Sequence, residues 1–389
     1  MSEARTIAGD TEARGMDNVL LVIAGLILVF GLIMVASASI SLADKTTGQP
    51  FYYLIRQLFF AVAGSVAGTM MYTLPLNWWQ RSGYLLLMLA FALLVIVLVP
   101  GVGRRINGSI RWVALGSFHL QVSEPARLLI FIYLSGYIVR RREELASSFK
   151  GFLKPMLLVG AAGLLLLLEP DFGATLVLAT TAMAMLFLGG ARLRDFGLCA
   201  AMGAVAAIGL VLASPYRLAR LTGFLNPWQD PFDSGFQLTQ SLIAIGRGQF
   251  FGVGLGESVQ KLFYLPEAHS DFLFAVIAEE FGLFGSLLVI GLYLVLVWRA
   301  VLIARRAAKR GQAFGAYLAY GIGIWLGLQA FINMGVNMGV LPTKGLTLPL
   351  MSYGGSSLIV GCAAIGLLLR VDREARDSRW TAAEEESEA

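Results

Sequence analysis

Apolar residues run along this chain in long, nearly unbroken blocks, and the polar positions collect between the blocks instead of alternating with them at helical spacing. Blocks of about the length that crosses a ~30 Å hydrocarbon layer at 1.5 Å per residue fall at 18–41, 57–75, 82–100, 124–140, 153–168, 171–190, 194–214, 270–305, 313–340 and 355–371. The pattern predicts an all-α fold: a polytopic transmembrane helical bundle of about ten helices. A large outer loop at about 214–270 separates helices 7 and 8. Two blocks stand out. The stretch 124–140 opens on Glu124-Pro125 and is only just long enough, whereas 270–305 exceeds what a bilayer needs, so part of it should protrude or bend. No repeat with a period of about 20 to 50 residues is present, which excludes a repeat array.

Composition agrees. Hydrophobic residues make up 57% and charged residues 14%, with mean hydropathy +0.72, against roughly 25% charge in a soluble domain. Val19 to Val35 followed by Ala36-Ser37-Ala38 resembles a signal peptide, but its length and the blocks that follow favour a retained first helix. The expected organisation is a cytoplasmic segment at 1–17, a transmembrane domain at 18–371 and a cytoplasmic tail at 372–389. With the N-terminus inside, 19 of the 30 Lys and Arg residues fall in inner segments and 11 in outer ones, which supports N-in and C-in. The net charge of +5 therefore reads as basic cytoplasmic loops, not a nucleic-acid surface. Cys199 and Cys362 lie in apolar blocks as buried thiols, two histidines make no metal cluster, and the acidic run at 384–388 is a solvated tail.

Four clusters could carry chemistry. The first is Tyr264-Leu265-Pro266-Glu267-Ala268-His269-Ser270-Asp271-Phe272, leading into Glu279-Glu280. Ser270 is a candidate N-cap that would put Asp271 in the first turn of a helix, where the dipole favours its anion. Glu279 would lie two turns on, about 80° around the helix. Ionisable residues at membrane depth mark functional sites by default; the alternatives are a simple cap for Asp271 and an ion pair with a buried Arg for Glu279. The second cluster holds Arg104, Arg105 and Arg111, then Glu124 and Arg127. Arginines on the outer face suit phosphate oxygens, although Glu124 and Arg127 could merely pair with each other. The third holds Arg217 and Arg220, Asn226-Pro227-Trp228 and the Gly252–Gly256 run, whose N–H groups could cradle a phosphate or simply permit tight packing. The fourth is Pro342-Thr343-Lys344-Gly345-Leu346-Thr347-Leu348-Pro349 with Ser352-Tyr353-Gly354-Gly355, irregular backbone of the kind tolerated near a bilayer where it lines a cavity.

Together these motifs resemble the SEDS family of bacterial shape, elongation, division and sporulation proteins, from about Val19 to Arg370. The polar N-terminal extension resembles the division member more than the elongation member. Two departures are visible. Gln121-Val122-Ser123-Glu124-Pro125-Ala126-Arg127 moves the family's proline and replaces its lysine, and Glu169-Pro170-Asp171-Phe172-Gly173-Ala174 carries a carboxylate where the family pattern has glutamine.

The resemblance implies a peptidoglycan glycosyltransferase that polymerises lipid II at the outer face of the bacterial cytoplasmic (inner) membrane, at the division septum. It would work with a class B penicillin-binding protein and other divisome membrane proteins, among membrane lipid and without nucleic acid. The residue matching the family's catalytic aspartate is Asp271, and a base there fits a reaction that must deprotonate a sugar hydroxyl. Arg111, Glu124, Arg127, Arg217, Arg220, Glu279, Lys344 and Ser352 form the pool for binding diphosphate and sugar. Mg²⁺ or Mn²⁺ is the candidate cofactor, with Glu279 as its candidate ligand, although no metal-ligand spacing is present. Two other readings stay open: a lipid II flippase or transporter, and a non-catalytic division scaffold.

Overall fold

The computed structural model describes residues 16–106, 109–116, 118–212, 223–232, 235–342 and 345–377. Every expected block is a helix: α1 (Asn18–Thr47), α2 (Tyr52–Thr73), α4 (Gly83–Ile96), α5 (Ser123–Arg140), α7 (Phe149–Leu168), α8 (Phe172–Leu188), α9 (Leu193–Leu212), α11 (Leu273–Lys309), α12 (Ala313–Asn337) and α13 (Gly355–Arg376). Short helices α3 (Leu76–Arg81) and α6 (Arg142–Ser147) join them, and α10 (Phe236–Gly248) lies within the expected outer loop. Among the described residues, six helices (α1, α2, α7, α11, α12 and α13) are long and apolar enough to cross a membrane. The chain is therefore a multi-pass membrane protein. The marginal block at 124–140 is α5, whose residues are nearly all buried; enclosed by its neighbours, it does not need the lipid-facing apolarity of the outer helices. Pro125 falls in its first turn, where no intrahelical N–H is lost.

The one β element among the described residues was not anticipated. The Arg-rich outer segment forms a three-stranded antiparallel sheet of β1 (Gly103–Ile106), β2 (Ser109–Leu115) and β3 (Phe118–Gln121), paired in that order. It is fastened to the bundle where Gln121 N donates to Ser356 Oγ at the start of α13 (2.8 Å).

Ion pairs define the opposite end. Asp17 caps α1 through Leu20 N (2.9 Å) and pairs with Arg299 of α11 and Arg376 of α13. Asp372 pairs with Arg306 and Arg376. The start of α1 and the end of α13 thus share one face. From Arg299 back to Gly282, α11 covers about 26 Å at 1.5 Å per residue, close to the hydrocarbon thickness. Residues 273–281 continue for roughly another 13 Å, and the helix breaks where this extension begins, at Gly282 (φ 65, ψ −154). The over-long block therefore both bends and projects.

A loop repairs the break. Leu283 N and Phe284 N donate to the carbonyls of Gln249 (2.9 Å) and Phe250 (3.3 Å), while Val253 N and Gly254 N donate to the carbonyls of Glu279 and Glu280 (3.0 Å each). The glycines make this approach possible: a Cβ on Gly248 would meet Ala278 O at 1.8 Å, and one on Gly252 would meet Glu280 O at 2.1 Å. The Gly-rich run thus takes the tight-packing role, and its N–H groups at 253 and 254 are already committed.

Candidate active site

Asp271 precedes α11 instead of lying in its first turn, and Phe272 occupies the N-cap position without a side-chain bond. Ser270, the expected cap, turns back and donates to Glu267 Oε2 (2.7 Å). The turn is closed by Glu267 O, which accepts from the N–H groups of Ser270, Asp271 and Phe272 (3.1–3.2 Å). Two amides from α12 then hold Asp271 from below: Asn333 Nδ2 (2.8 Å) and Asn337 Nδ2 (3.0 Å) both donate to its carbonyl oxygen. These bonds fix the backbone and leave the carboxylate unengaged. Among the described residues no hydrogen bond or ion pair reaches it.

The other wall is the irregular segment 345–350. Its carbonyls are satisfied from the helices around it: Asn333 Nδ2 donates to Leu346 O (2.5 Å), Gln329 Nε2 to Thr347 O (3.0 Å) and the Tyr293 hydroxyl to Pro349 O (2.5 Å). Non-helical backbone is tolerated inside the bundle because protein groups replace the missing ladder bonds. Gln329, Asn333 and Asn337 stand four residues apart, on one face of α12. Gly345 faces the carboxylate, and a Cβ there would lie 2.8 Å from Asp271 Oδ2.

Above the aspartate, Arg111 of β2 reaches across to the turn between α7 and α8. Its Nη2 donates to Pro170 O (2.9 Å) and Ser109 Oγ (3.0 Å), and Nη1 lies 3.8 Å from Asp171 Oδ1. Asp171 caps α8 through Ala174 N (3.1 Å) and accepts from Ser123 Oγ (3.2 Å). Burial, first, and the negative charges of Glu267 and Asp171 push the Asp271 carboxyl up to about 7, against a smaller opposing pull from Arg111. A group poised there takes up a proton efficiently near neutral pH. Beside it, His269 packs against the rings of Tyr53 (4.7 Å) and Tyr353 (5.2 Å), which also touch each other (5.2 Å), and burial lowers its pKa.

The remaining sequence candidates divide. Arg111 joins Asp271 in one site. Arg217, Arg220 and Lys344 lie outside the described residues. Glu124 and Arg127 pair with each other (2.5 Å) inside the bundle. Arg127 is 1% exposed, and its Nη1 donates to Gln329 Oε1 (3.3 Å). This pair therefore touches the site through Gln329 and the 345–350 segment. Ser352 is buried, with Oγ accepting from Leu348 N (3.0 Å), and serves the turn.

Glu279 is not brought to Asp271. It accepts from Ser258 Oγ (2.5 Å), Val259 N (3.1 Å), Gln260 N (3.4 Å) and Arg247 Nη1 (3.3 Å) at the α11 break. With its oxygens so engaged and the side chain fully buried, it does not fit the role of metal ligand. Its neighbour Glu280 is held likewise by Lys261 Nζ (2.8 Å) and by the Ser37 hydroxyl (2.7 Å). No group of three or more His, Cys, Asp or Glu side chains with metal-holding geometry exists among the described residues.

Three contributors escaped the sequence reading: the α12 amide ladder, the Asp171 carboxylate and the field of Glu267. The ladder had a signal, three amides at four-residue spacing in an apolar helix.

A helical membrane bundle with a carboxylate in an amide-braced turn, within reach of the Arg111 charge, defines a membrane protein with a candidate polar site at the end remote from its termini. Residues 17–377 match the family model of the FtsW, RodA and SpoVE cell cycle proteins, and the chain belongs to that family. It is 60% identical over 352 residues to a probable peptidoglycan glycosyltransferase FtsW of Thioalkalivibrio sulfidiphilus, covering 90% of this chain and 88% of that one. It is 58% identical over 375 residues to the protein of the same name from Nitrosococcus halophilus, covering 96% of each. Among solved structures, a chain of a peptidoglycan synthase complex that coordinates polymerization and crosslinking superposes with TM-score 0.76 at 29% identity, over 93% of this chain and 98% of that one. The rod shape determining protein RodA of Thermus thermophilus gives 0.69 at 29% identity, over 92% and 97%.

Proposed function

We propose that this protein is a peptidoglycan glycosyltransferase that polymerises lipid II into glycan strands, with Asp271 as general base. The observation that carries the reading is the unengaged Asp271 carboxylate, braced through its own backbone and set opposite Arg111. Asp271 takes the proton from the acceptor sugar hydroxyl as that oxygen attacks the anomeric carbon of the donor. The bond from that carbon to the diphosphate oxygen breaks, and its electron pair leaves with the lipid diphosphate. A diphosphate departs without protonation once neutralised, so one carboxylate suffices, unlike the pair a glycosidase uses. Arg111 supplies charge for this departure, together with Arg217, Arg220 and Lys344. Mg²⁺ or Mn²⁺ enters this proposal only as a counter-ion carried by the diphosphate, because Glu279 is committed elsewhere.

The relatives' names and the synthase-complex neighbour support the chemistry and a partner of the class B penicillin-binding type that crosslinks the strands. They also support a place in the bacterial inner membrane at the division septum. The test is lipid II polymerisation by purified protein in detergent, alone and with such a partner. Polymer formed without a bilayer supports the enzyme. Transport of lipid II across vesicles without polymer supports a flippase. Neither activity, with septal recruitment intact, supports a scaffold.

A further inference from the structure

Glu169 ends α7 one peptide bond from Pro170, on the turn that Arg111 grips. Its side chain is 0% exposed, and neither carboxylate oxygen has a hydrogen-bond partner among the described residues. No neighbouring donor is turned to it, although Arg111 Nε is itself buried without a hydrogen-bond partner among the described residues. The charged groups facing it are Asp171, on its own turn, and Arg111, from β2. Arg111 Nη2 donates to Pro170 O and Ser109 Oγ, and Nη1 approaches Asp171. Asp171 is itself held by Ala174 N and Ser123 Oγ. The same Arg111 is the cation whose field bears on Asp271, while Asp171 and Glu267 oppose it. One guanidinium therefore faces a cluster of carboxylates that it cannot neutralise in full. A buried carboxylate with no donor is among the costliest arrangements a protein can hold, and such a group keeps its proton instead.

We propose that Glu169 is a protonated, neutral carboxylic acid in the working protein, and that it acts as a positioning residue by leaving the Arg111 charge undivided for Asp171, Asp271 and an incoming diphosphate. Burial, first, and the charge of Asp171 push its pKa up to about 8, with Arg111 pulling the other way. Above that pH Glu169 ionises. It then competes for Arg111 and adds a negative charge beside the place where a diphosphate must sit. Proton loss from Glu169 thus sets an alkaline limit on the site, while proton loss from Asp271 sets the acid one. The activity arm of this inference rests on the glycan-polymerase reading; the protonation claim does not.

The test is E169Q, a neutral isostere, compared with the wild type in detergent by three measurements. Infrared spectroscopy at pH 7 should show the carbonyl stretch of protonated carboxylic acid in the wild type and a weaker band in E169Q, which keeps only the share of Asp271, itself raised to about 7. The wild-type folded pKa lies above the ordinary 4.5, so the stability Glu169 contributes is present below about 4.5 and lost as pH rises toward 8. The melting temperature should therefore fall across that window by several degrees more in the wild type than in E169Q. Polymerisation should decline above about pH 8 in the wild type, and that decline should move to higher pH in E169Q. An unchanged infrared spectrum at pH 7, with parallel melting curves, overturns the protonation claim. Altered spectra and melting with identical alkaline limbs overturn the positioning role. If neither protein makes polymer, the glycan-polymerase reading fails, and the first two measurements still decide whether Glu169 is neutral.

Discussion

Gly345 stands so close to Asp271 that a single added methyl group would lie 2.8 Å from Oδ2. The backbone path of 345–350, not the identity of the aspartate alone, leaves room for a substrate hydroxyl there. Gly345→Ala should push the carboxylate aside and cost about a hundredfold or more in polymerisation rate, the usual penalty for an ångström-scale misplacement of a reacting group. Protein yield and melting temperature should stay close to wild type, because the added methyl meets one side chain and no backbone. Rates with lipid II, read beside a melting curve, check both statements.

The charges around Asp271 have opposite signs, and so do their predicted effects. The rate should rise with pH through about 7 as the base ionises. Glu267→Gln removes a charge that raises the pKa and should move this acid limb to lower pH. Arg111→Ala removes one that lowers it and should move the limb to higher pH. Because the folded pKa exceeds the ordinary 3.8, the stability Asp271 contributes is present below about 4 and lost as pH rises through about 7. The pH profile of kcat/KM for the two variants is the measurement; shifts in the same direction would contradict the arrangement.

Asn333 and Asn337 hold the backbone around Asp271. Asn333→Ala strips donors from Asp271 O and Leu346 O together, and Asn337→Ala strips a donor from Asp271 O and removes the Oδ1 acceptor of Ala275 N–H. Each should cost about 1–3 kcal/mol, the penalty for leaving buried polar groups unmade, and each should lower kcat as the 267–272 turn loosens. Thermal melting and steady-state rates measured on the same preparations decide this.

Much of this was legible in the sequence, and what was not has physical causes. Block length over bilayer thickness located the ten long helices, including the interior α5, but not the short α3, α6 and α10, and the excess of 270–305 pointed to a bend that falls at Gly282. Asp271 stood out as an ionisable residue at the mouth of an apolar block. The sequence could not say that Ser270 bonds backward to Glu267 instead of capping α11, since a serine before a helix suits either role. Nor could it separate Glu279 from Asp271: a helical wheel gives the angle between them but is blind to residues 258–260, which fold down onto Glu279 and occupy it. The sheet at 103–121 was hidden because its arginines look like a basic loop until pairing partners are known.

The Glu279 cluster is accordingly predicted to be structural. Glu279→Ala should leave Arg247 without its partner and the 258–260 turn without its acceptor. Destabilisation of about 1–3 kcal/mol is expected from the buried donors left without an acceptor, since Arg247 is 44% exposed and water can take over its charge. The dependence of activity on Mg²⁺ or Mn²⁺ concentration should not change in the more conservative Glu279→Gln. A raised metal requirement in that variant would return Glu279 to the metal-binding role.

If Asp271 removes the proton from the acceptor hydroxyl, Asp271→Asn abolishes that step, because the amide keeps the shape and loses the basicity. Purified variant and wild type are incubated with lipid II in detergent, glycan product is quantified over time, and melting curves confirm that both are folded. Polymerisation should fall by about 10²–10⁴, with melting near that of the wild type. A folded Asp271→Asn protein that polymerises at the wild-type rate would rule out Asp271 as the base.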